Sequence, residues 1–209
     1  MTSIGGLISG YRVFKATEYQ KYKDVIGHVV ELGQKPKTLV VACCDMRLAP
    51  GRIVSANPGD LYVIRNIGGL VPPFDPNGKN STIAAIEYAV RHLQVENIIV
   101  MGHNNCDAMK LLMEGGDALG SQSMEHWLAI ANEARDAVNN QLAGKSSQEK
   151  EWACGQESIL VSLRNLISYP WIEEGIKADS VKIYGWQYDI VSGQLYGFDP
   201  IAGVFDVIE

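Results

Sequence analysis

The chain has 209 residues, of which 46% are hydrophobic and 20% are charged, as in an ordinary globular protein of one domain. The formal net charge of −6 argues against nucleic acid or an anionic membrane surface as a partner. The apolar runs are too short to span a bilayer, and four cysteines without a recognisable secretory signal favour a reducing, cytoplasmic location.

Helical patterns alternate with short apolar strands along the chain. The strand patterns are β-branched and apolar, which is typical of buried parallel strands, and the helical patterns repeat every three to four residues. This alternation predicts an α/β fold with a central, mainly parallel β-sheet flanked by helices and an extended N-terminal helix. The predicted order is helix 15–33, strand 38–44, strand 60–66, helix 81–93, strand 97–102, helix 123–142, helix 155–172, and a last strand and hairpin within 180–198.

We expect the whole chain, residues 1–209, to form a single domain. Within it, residues 1–37 are expected to form an N-terminal helical arm and residues 38–209 the α/β core. The stretch "QKPK" after Gly33 separates the two parts, because proline and the preceding glycine end the first helix.

Two metal-capable residues stand where predicted strands end. Cys43 closes the run "TLVVAC", and His103 follows "NIIVMG" directly. Ligand crevices of open α/β sheets form at the carboxyl ends of the strands, so these two side chains are expected to meet there. Cys106, three positions after His103, completes a Cys2His set that zinc accepts with an open fourth position. The alternative is that each cysteine is a small buried hydrophobe, which is how Cys44 and Cys154 are interpreted.

The sequence "CCDMR" adds a carboxylate and a guanidinium directly after Cys43. Asp45 could accept a hydrogen bond from water on the metal, and Arg47 could hold that carboxylate with two parallel hydrogen bonds. The alternative is a surface ion pair, which would contribute little to stability. Next to three zinc-type ligands at a strand end, the functional interpretation is preferred.

Four motifs in order give the chain its resemblance to the β-class carbonic anhydrases. "CCDMR" resembles the signature C-x-D-S-R of that family, and "GHNNC" resembles its G-H-x-x-C. "NPGDLYVIRN" resembles the family segment P-G-(D/E)-x-F-V-x-R-N. "AAIEYAVRHLQVENIIVMGH" and "YGWQYDIVSGQLYGFD" are similar to its later helix, strand and hairpin. The resemblance extends from about residue 15 to the end of the chain.

The resemblance implies a zinc lyase that hydrates carbon dioxide reversibly to bicarbonate and a proton through zinc-bound hydroxide. It implies one Zn²⁺ per subunit, a homodimer or a multiple of dimers, and a pocket at the dimer interface. It also implies a role for each matched residue. These are Cys43, His103 and Cys106 for the metal, Asp45 and Arg47 for orienting the hydroxide, and Gln34, Tyr62 and Tyr88 for substrate.

This chain departs from the family pattern at three places. Val40 replaces the tryptophan that some members use in a regulatory bicarbonate pocket, so no such switch is expected and Asp45 should leave the metal open. Met46 replaces a serine, and Asp107 and Ala108 replace glycines. Asp107 is a candidate substrate-binding residue whose carboxylate either faces the cavity and opposes bicarbonate or points away and leaves its N–H usable.

Three alternatives to carbon dioxide hydration remain at this stage. A related zinc hydrolase acting on carbonyl sulfide or carbon disulfide would share the same metal ligands. A zinc-binding paralogue without full catalysis would keep the ligands too, although the intact Asp45–Arg47 pair argues against it. A nucleotide-binding α/β domain is disfavoured because no glycine-rich phosphate loop follows the first strand.

Overall fold

A computed structural model describes residues 3–115 and 120–209 of the chain. Its centre is a six-stranded sheet in the order β2-β1-β3-β4-β5-β6. The first four strands in that order are parallel, and β5 and β6 are added antiparallel at one edge. The strands are β1 (Thr38–Cys43), β2 (Leu61–Asn66), β3 (Asn97–His103), β4 (Lys182–Tyr188), β5 (Leu195–Asp199) and β6 (Val204–Val207). The predicted fold class, a mainly parallel sheet with flanking helices, is confirmed.

Helices cover both faces of this sheet. The residues of β1 show why, since Leu39 and Val41 pack into one apolar cluster while Val40 and Ala42 pack into the other. All four are buried, so the strand is apolar throughout rather than alternating, as expected for a sheet covered on both sides. The helices are α1 (Ile4–Ala16), α2 (Glu18–Leu32), α3 (Pro50–Ile53), α4 (Ser81–Arg91), α5 (Asp107–Met113), α6 (Gln122–Leu128), α7 (Asn132–Gln141), α8 (Ser147–Ile167) and α9 (Pro170–Lys177).

The N-terminal segment differs from its prediction. In place of one helix over residues 15–33, the chain forms α1 and α2, which are joined at Thr17. Three glycines lower the helix propensity of α1, which is why its pattern is weak in the sequence. Neither helix contains a buried residue, and the division into an arm and a core stays a prediction.

Two other helix predictions were wrong in extent. The segment 123–142 is α6 and α7 with a 3₁₀ turn between them. The segment 155–172 belongs to two helices, because α8 begins at Ser147 and Pro170 opens α9. Ser146 and Glu149 form a capping box that fixes the true start of α8, and this signal was present in the sequence. The final hairpin is confirmed as β4 and β5, but β6 was not predicted.

Candidate metal centre

The predicted metal ligands meet at the carboxyl ends of two neighbouring strands. Cys43 ends β1, and His103 ends β3, whose register with β1 pairs Ala42 with Met101. Cys106 lies at the N-terminus of α5, three residues beyond His103, because the chain turns sharply at Asn105 (φ 51°). Sixty residues separate the two strand ends in sequence, and the parallel sheet alone brings them together.

The ligand atoms of Cys43, His103 and Cys106 lie within 4.8 Å of one another. The two sulfurs are 3.9 Å apart, which suits thiolates on one tetrahedral zinc ion, since Zn–S bonds of about 2.3 Å separate two sulfurs by roughly 3.8 Å. All three side chains are buried. In residues 3–115 and 120–209 this is the one group of three or more His, Cys, Asp or Glu residues that meets such a distance limit.

The imidazole of His103 leaves its Nε2 atom for the metal. Its Nδ1 lies 2.8 Å from the carbonyl oxygen of Asn104, and because a carbonyl only accepts, Nδ1 must carry the proton. Nε2 therefore keeps its lone pair, and it is buried without a hydrogen-bond partner. A buried polar atom without a partner is costly unless something binds it, so this atom is the clearest indication that the cluster fits a zinc ion.

The two thiols share their protons unequally. The hydrogen bond between them lowers the pKa of Cys43 to about 4 and, together with burial, raises the pKa of Cys106. Burial disfavours the charged imidazole of His103, but the negative charge of the neighbouring Cys43 thiolate raises its pKa overall. The lowered pKa of Cys43 favours its thiolate, and zinc binding requires Cys106 to lose its proton as well.

Asp45 and Arg47 form the predicted pair beside the cluster. Arg47 Nε donates to Asp45 Oδ1 at 2.9 Å and Arg47 Nη2 donates to Oδ2 at 2.6 Å, while the Arg47 N–H also donates to Oδ1. These hydrogen bonds hold the pKa of the Asp45 carboxyl well below its usual range. Oδ2 lies 3.9 Å from Nε2 of His103, so the carboxylate faces the position that the metal would take.

Arg65 is a site residue that the sequence analysis quoted in a motif but did not assign. From β2 its guanidinium donates to the carbonyl oxygens of Cys43, Asp45 and Leu48 at 2.6–3.0 Å. It therefore holds the loop that presents both Cys43 and Asp45. The available signal was that this arginine directly follows the apolar run "LYVI" of a predicted strand. In the structure, the register of β2 with β1 pairs it with Ala42.

The 3₁₀ turn of residues 67–69 packs directly against the strand that carries Cys43. A Cβ atom on Gly69, which has φ 64°, would lie 2.9 Å from the backbone nitrogen of Cys43 and 3.1 Å from the carbonyl carbon of Ala42. Trp127 Nε1 donates to the carbonyl oxygen of Ile67 at 2.7 Å and fixes the turn from α6. The close approach requires glycine at position 69.

The predicted substrate residues do not join the cluster within one chain. Tyr62 pairs with Leu39, four residues before Cys43, which places it about 13 Å back along the sheet. Tyr88 lies beside Tyr62, with ring centroids 6.2 Å apart, and Gln34 is an exposed residue that precedes β1. Their role stays a prediction, and it requires a second subunit.

Asp107 follows Cys106 as the first residue of α5, and its carboxylate turns outward. The side chain is 80% exposed, and Oδ1 lies 3.5 Å from Nζ of Lys110. Of the two orientations left open by the sequence, this is the outward one. The role of Asp107 in substrate binding stays a prediction.

Comparisons with known proteins agree with the fold and the ligand set. A family model described as carbonic anhydrase matches residues 38–195. The chain is 36% identical over 181 residues to beta carbonic anhydrase 5, chloroplastic, of Arabidopsis thaliana, covering 85% of this chain and 60% of that protein. This chain therefore spans less than two thirds of the length of that relative.

Two solved structures are similar over most of their length. The structure of the β-carbonic anhydrase CcaA matches with a TM-score of 0.91 and 30% identity, covering 97% of this chain and 91% of that one. A tetrameric β-carbonic anhydrase from Sordaria macrospora matches with a TM-score of 0.82 and 26% identity, covering 96% of each chain.

Proposed function

The chain belongs to the β-class carbonic anhydrase family, and we propose that it catalyses the reversible hydration of carbon dioxide to bicarbonate and a proton. The proposal assigns Cys43, His103 and Cys106 as the ligands of one Zn²⁺. The observation that carries it is the buried donor set itself, two sulfurs 3.9 Å apart and an imidazole nitrogen without a partner. When bound, zinc supplies hydroxide near neutral pH by lowering the pKa of water.

Asp45 orients the nucleophile in this proposal. Both of its oxygens accept hydrogen bonds from Arg47, and its lowered pKa means that it stays ionised and can only accept. Oδ2 faces the cluster and has one lone pair left. A carboxylate in this state can bind only a water or hydroxide that still has a hydrogen to donate. Accepting that hydrogen bond turns a lone pair of the nucleophile's oxygen toward the carbon of the substrate.

Arg47 keeps Asp45 from acting as a metal ligand. Its guanidinium binds both carboxylate oxygens and also donates to the carbonyl oxygen of Asn105 at 2.9 Å. Breaking this two-point contact would leave a charged group unpaired beside a buried cluster, which is unfavourable. This supports a site whose fourth position stays open to solvent, as a catalytic zinc site requires.

We further propose that the chain acts as a homodimer or a multiple of dimers, with Gln34, Tyr62 and Tyr88 completing the pocket of a neighbouring subunit. Tyr88 and Val63 are exposed, and the helices α1 and α2 present exposed apolar residues along their length. The tetrameric relative from Sordaria macrospora supports assembly. Carbon dioxide itself needs only an apolar surface, and Gln34 could donate a hydrogen bond to bicarbonate.

A cytoplasmic location is part of the proposal, although the Arabidopsis thaliana relative is a chloroplastic protein. The support is that all four cysteines are free, as expected in a reducing compartment. In the described ranges, 3–115 and 120–209, no helix has the length and apolar character needed to cross a bilayer. Fractionation of the source cells with antibody detection tests the location.

The decisive experiment is stopped-flow hydration of carbon dioxide across pH, with zinc content measured on the same sample. We expect a rate above buffer that scales with bound zinc. Carbonyl sulfide and carbon disulfide are assayed in parallel on that sample. A zinc-replete protein that turns over only a sulfur gas, or none of the three, would contradict the proposed function.

A further inference from the structure

Asn104 joins the loop between His103 and Cys106 to the turn of the hairpin that β4 and β5 form. Its side-chain Nδ2 donates to Asp189 Oδ1 at 2.6 Å, and its Oδ1 accepts from the N–H of Ile190 at 2.9 Å. Its own N–H donates to the carbonyl oxygen of Tyr188 at 3.2 Å. Three hydrogen bonds thus fix one residue to a segment more than 80 positions away in sequence, and that residue lies between His103 and Cys106.

The same residue controls the imidazole of His103. The carbonyl oxygen of Asn104 accepts the hydrogen bond from Nδ1, so the position of this peptide unit sets both the tautomer and the direction of Nε2. His103 is buried, and Nε2 is free of other partners. The ring therefore depends on the Asn104 carbonyl, and that carbonyl depends on the contacts of the Asn104 side chain with the hairpin.

The hairpin is a firm point of attachment. Asp189 Oδ1 also accepts from the N–H of Val191 at 2.9 Å, and Oδ2 accepts from the hydroxyl of Ser192 at 2.7 Å. The backbone N–H of Asp189 donates to the carbonyl oxygen of Gln194 at 2.8 Å and closes the turn. A carboxylate with these contacts is held in one orientation before it meets Asn104.

We propose that Asn104 is a positioning residue for the metal site, holding the His103 imidazole in its metal-binding orientation through the Asp189 turn. The inference rests on the zinc site of the proposed function, but it concerns metal binding and not turnover. Nothing in the pattern G-H-x-x-C assigns a role to this position, which lies at the first variable residue of the motif.

The first test measures zinc affinity of Asn104→Ala by competition with a chelator. Because outer contacts of a ligating histidine typically contribute 10–100-fold to metal affinity, we expect zinc to bind about 10-fold or more weakly. With Co²⁺ in place of zinc, the ligand-field absorption bands should shift, which a purely structural loss would not cause. Asn80→Ala is the matched control, since Asn80 caps α4 with two hydrogen bonds away from the site.

The second test exchanges the side chains of Asn104 and Asp189. Asn104→Asp alone places two carboxylates in contact and should weaken zinc binding at least as much as the alanine variant. Adding Asp189→Asn removes the repulsion and restores a hydrogen bond between positions 104 and 189 with its direction reversed, but the N–H of Val191 loses its acceptor. The double variant should therefore recover part of the zinc affinity that Asn104→Asp loses and move the Co²⁺ spectrum back toward that of the wild type. This pair decides the question even if Asn104→Ala fails to fold.

The inference is overturned if Asn104→Ala binds zinc as tightly as the wild type, or if the double variant binds no better than Asn104→Asp. A wild-type chain that binds zinc without hydrating carbon dioxide would contradict the proposed function and leave these measurements valid. A wild-type chain that binds no zinc would contradict both.

Discussion

The two ends of the parallel sheet differ in how much of a working site one chain provides. At the carboxyl end, Cys43, His103 and Cys106 are buried together and Asp45 is paired with Arg47. At the amino end, Tyr88 stays exposed although it packs beside Tyr62, and the arm helices that precede β1 expose apolar side chains. The difference agrees with the proposal that a single chain binds the metal and orients the nucleophile, whereas a neighbouring subunit completes the substrate pocket.

The largest effect should follow from removing one ligand sulfur. Cys43→Ser should lose zinc and bring carbon dioxide hydration down to the buffer rate, because a serine hydroxyl is not deprotonated as a zinc ligand here. Metal analysis and stopped-flow assays check this, and size-exclusion chromatography should show the assembly unchanged. The neighbouring Cys44→Ser is the control, since Cys44 is exposed and outside the cluster. Equal losses in both variants would contradict the assignment.

A smaller effect is expected at the orienting carboxylate. Asp45→Asn keeps the shape but can no longer accept at both oxygens, so turnover should fall by about 10²–10³-fold while zinc stays bound. Steady-state rates and zinc content on one sample make the measurement. Asp107→Asn serves as the control, because that carboxylate is turned to solvent, and it should change the rate by less than about twofold.

If Asp107→Asn instead raised kcat/KM severalfold, the carboxylate would have to reach the bicarbonate in the assembled protein. If Asp45→Asn kept full activity, Asp45 would be a structural partner of Arg47 and not the residue that orients the nucleophile. Either result would change which carboxylate at the carboxyl end of the sheet acts on the substrate.

The arm should affect assembly and substrate use without affecting the metal. Val30 on α2 is 77% exposed and Leu7 on α1 is 58% exposed in the single chain. Replacing both with glutamate should dissociate the oligomer, since two buried charges without partners are unfavourable at an interface, and kcat/KM should drop by about 10-fold. Light scattering and kinetics check this, with Lys23→Gln as a control that alters charge alone. Unchanged mass with unchanged kinetics would show that the arm contacts no partner.

The smallest effect concerns stability at acid pH. The folded pKa of Asp45 is lowered, so the pair with Arg47 stabilises the fold above the ordinary carboxyl pKa near 4, and this contribution is lost as pH falls through the folded value. Arg47→Gln should therefore lower the free energy of unfolding by about 1 kcal/mol at pH 6–7, a modest figure because the Arg47 side chain is 43% exposed.

The stability difference between the two proteins should begin to shrink as pH falls below about 4, where the unfolded chain takes up a proton on this carboxyl, and it should keep shrinking toward the lowered folded pKa. Urea unfolding of metal-free samples from pH 3 to 7 makes the comparison without interference from zinc. A stability difference that stays constant across this range would mean that Arg47 acts through packing and not through the charge of Asp45.

The sequence predicted five of the six strands and the clustering of Cys43, His103 and Cys106. Short β-branched runs located β1, β2, β3 and the final hairpin, and the carboxyl-end rule placed Cys43 with His103 before any coordinates. Both signals are local, since each depends only on residue type and on position relative to a strand end. Asp45 and Arg47 were found for the same reason, as they follow the strand directly.

Contacts between distant segments could not be predicted in this way. Arg65 holds three carbonyl groups of the Cys43 loop, and Asn104 reaches Asp189, yet the residues around either position do not show which distant groups its side chain contacts. The helix α1 was missed because its glycines conceal the pattern, and β6 because its four residues are too few to show one. The role of Gln34 depends on a second chain, which one sequence does not describe.

The close approach of Gly69 to β1 limits how this sequence can diverge. A methyl group there would meet main-chain atoms of Cys43 and Ala42, and no exchange of side chains elsewhere can move those atoms without moving the ligand sulfur. At the adjacent Gly68 (φ 76°) the nearest atoms belong to the side chains of Met109 and Leu70, so smaller neighbours could make space there and the strain of the left-handed backbone would be the remaining obstacle. In a saturation library selected for bound metal, position 69 should therefore retain glycine after the neighbouring positions have accepted other residues.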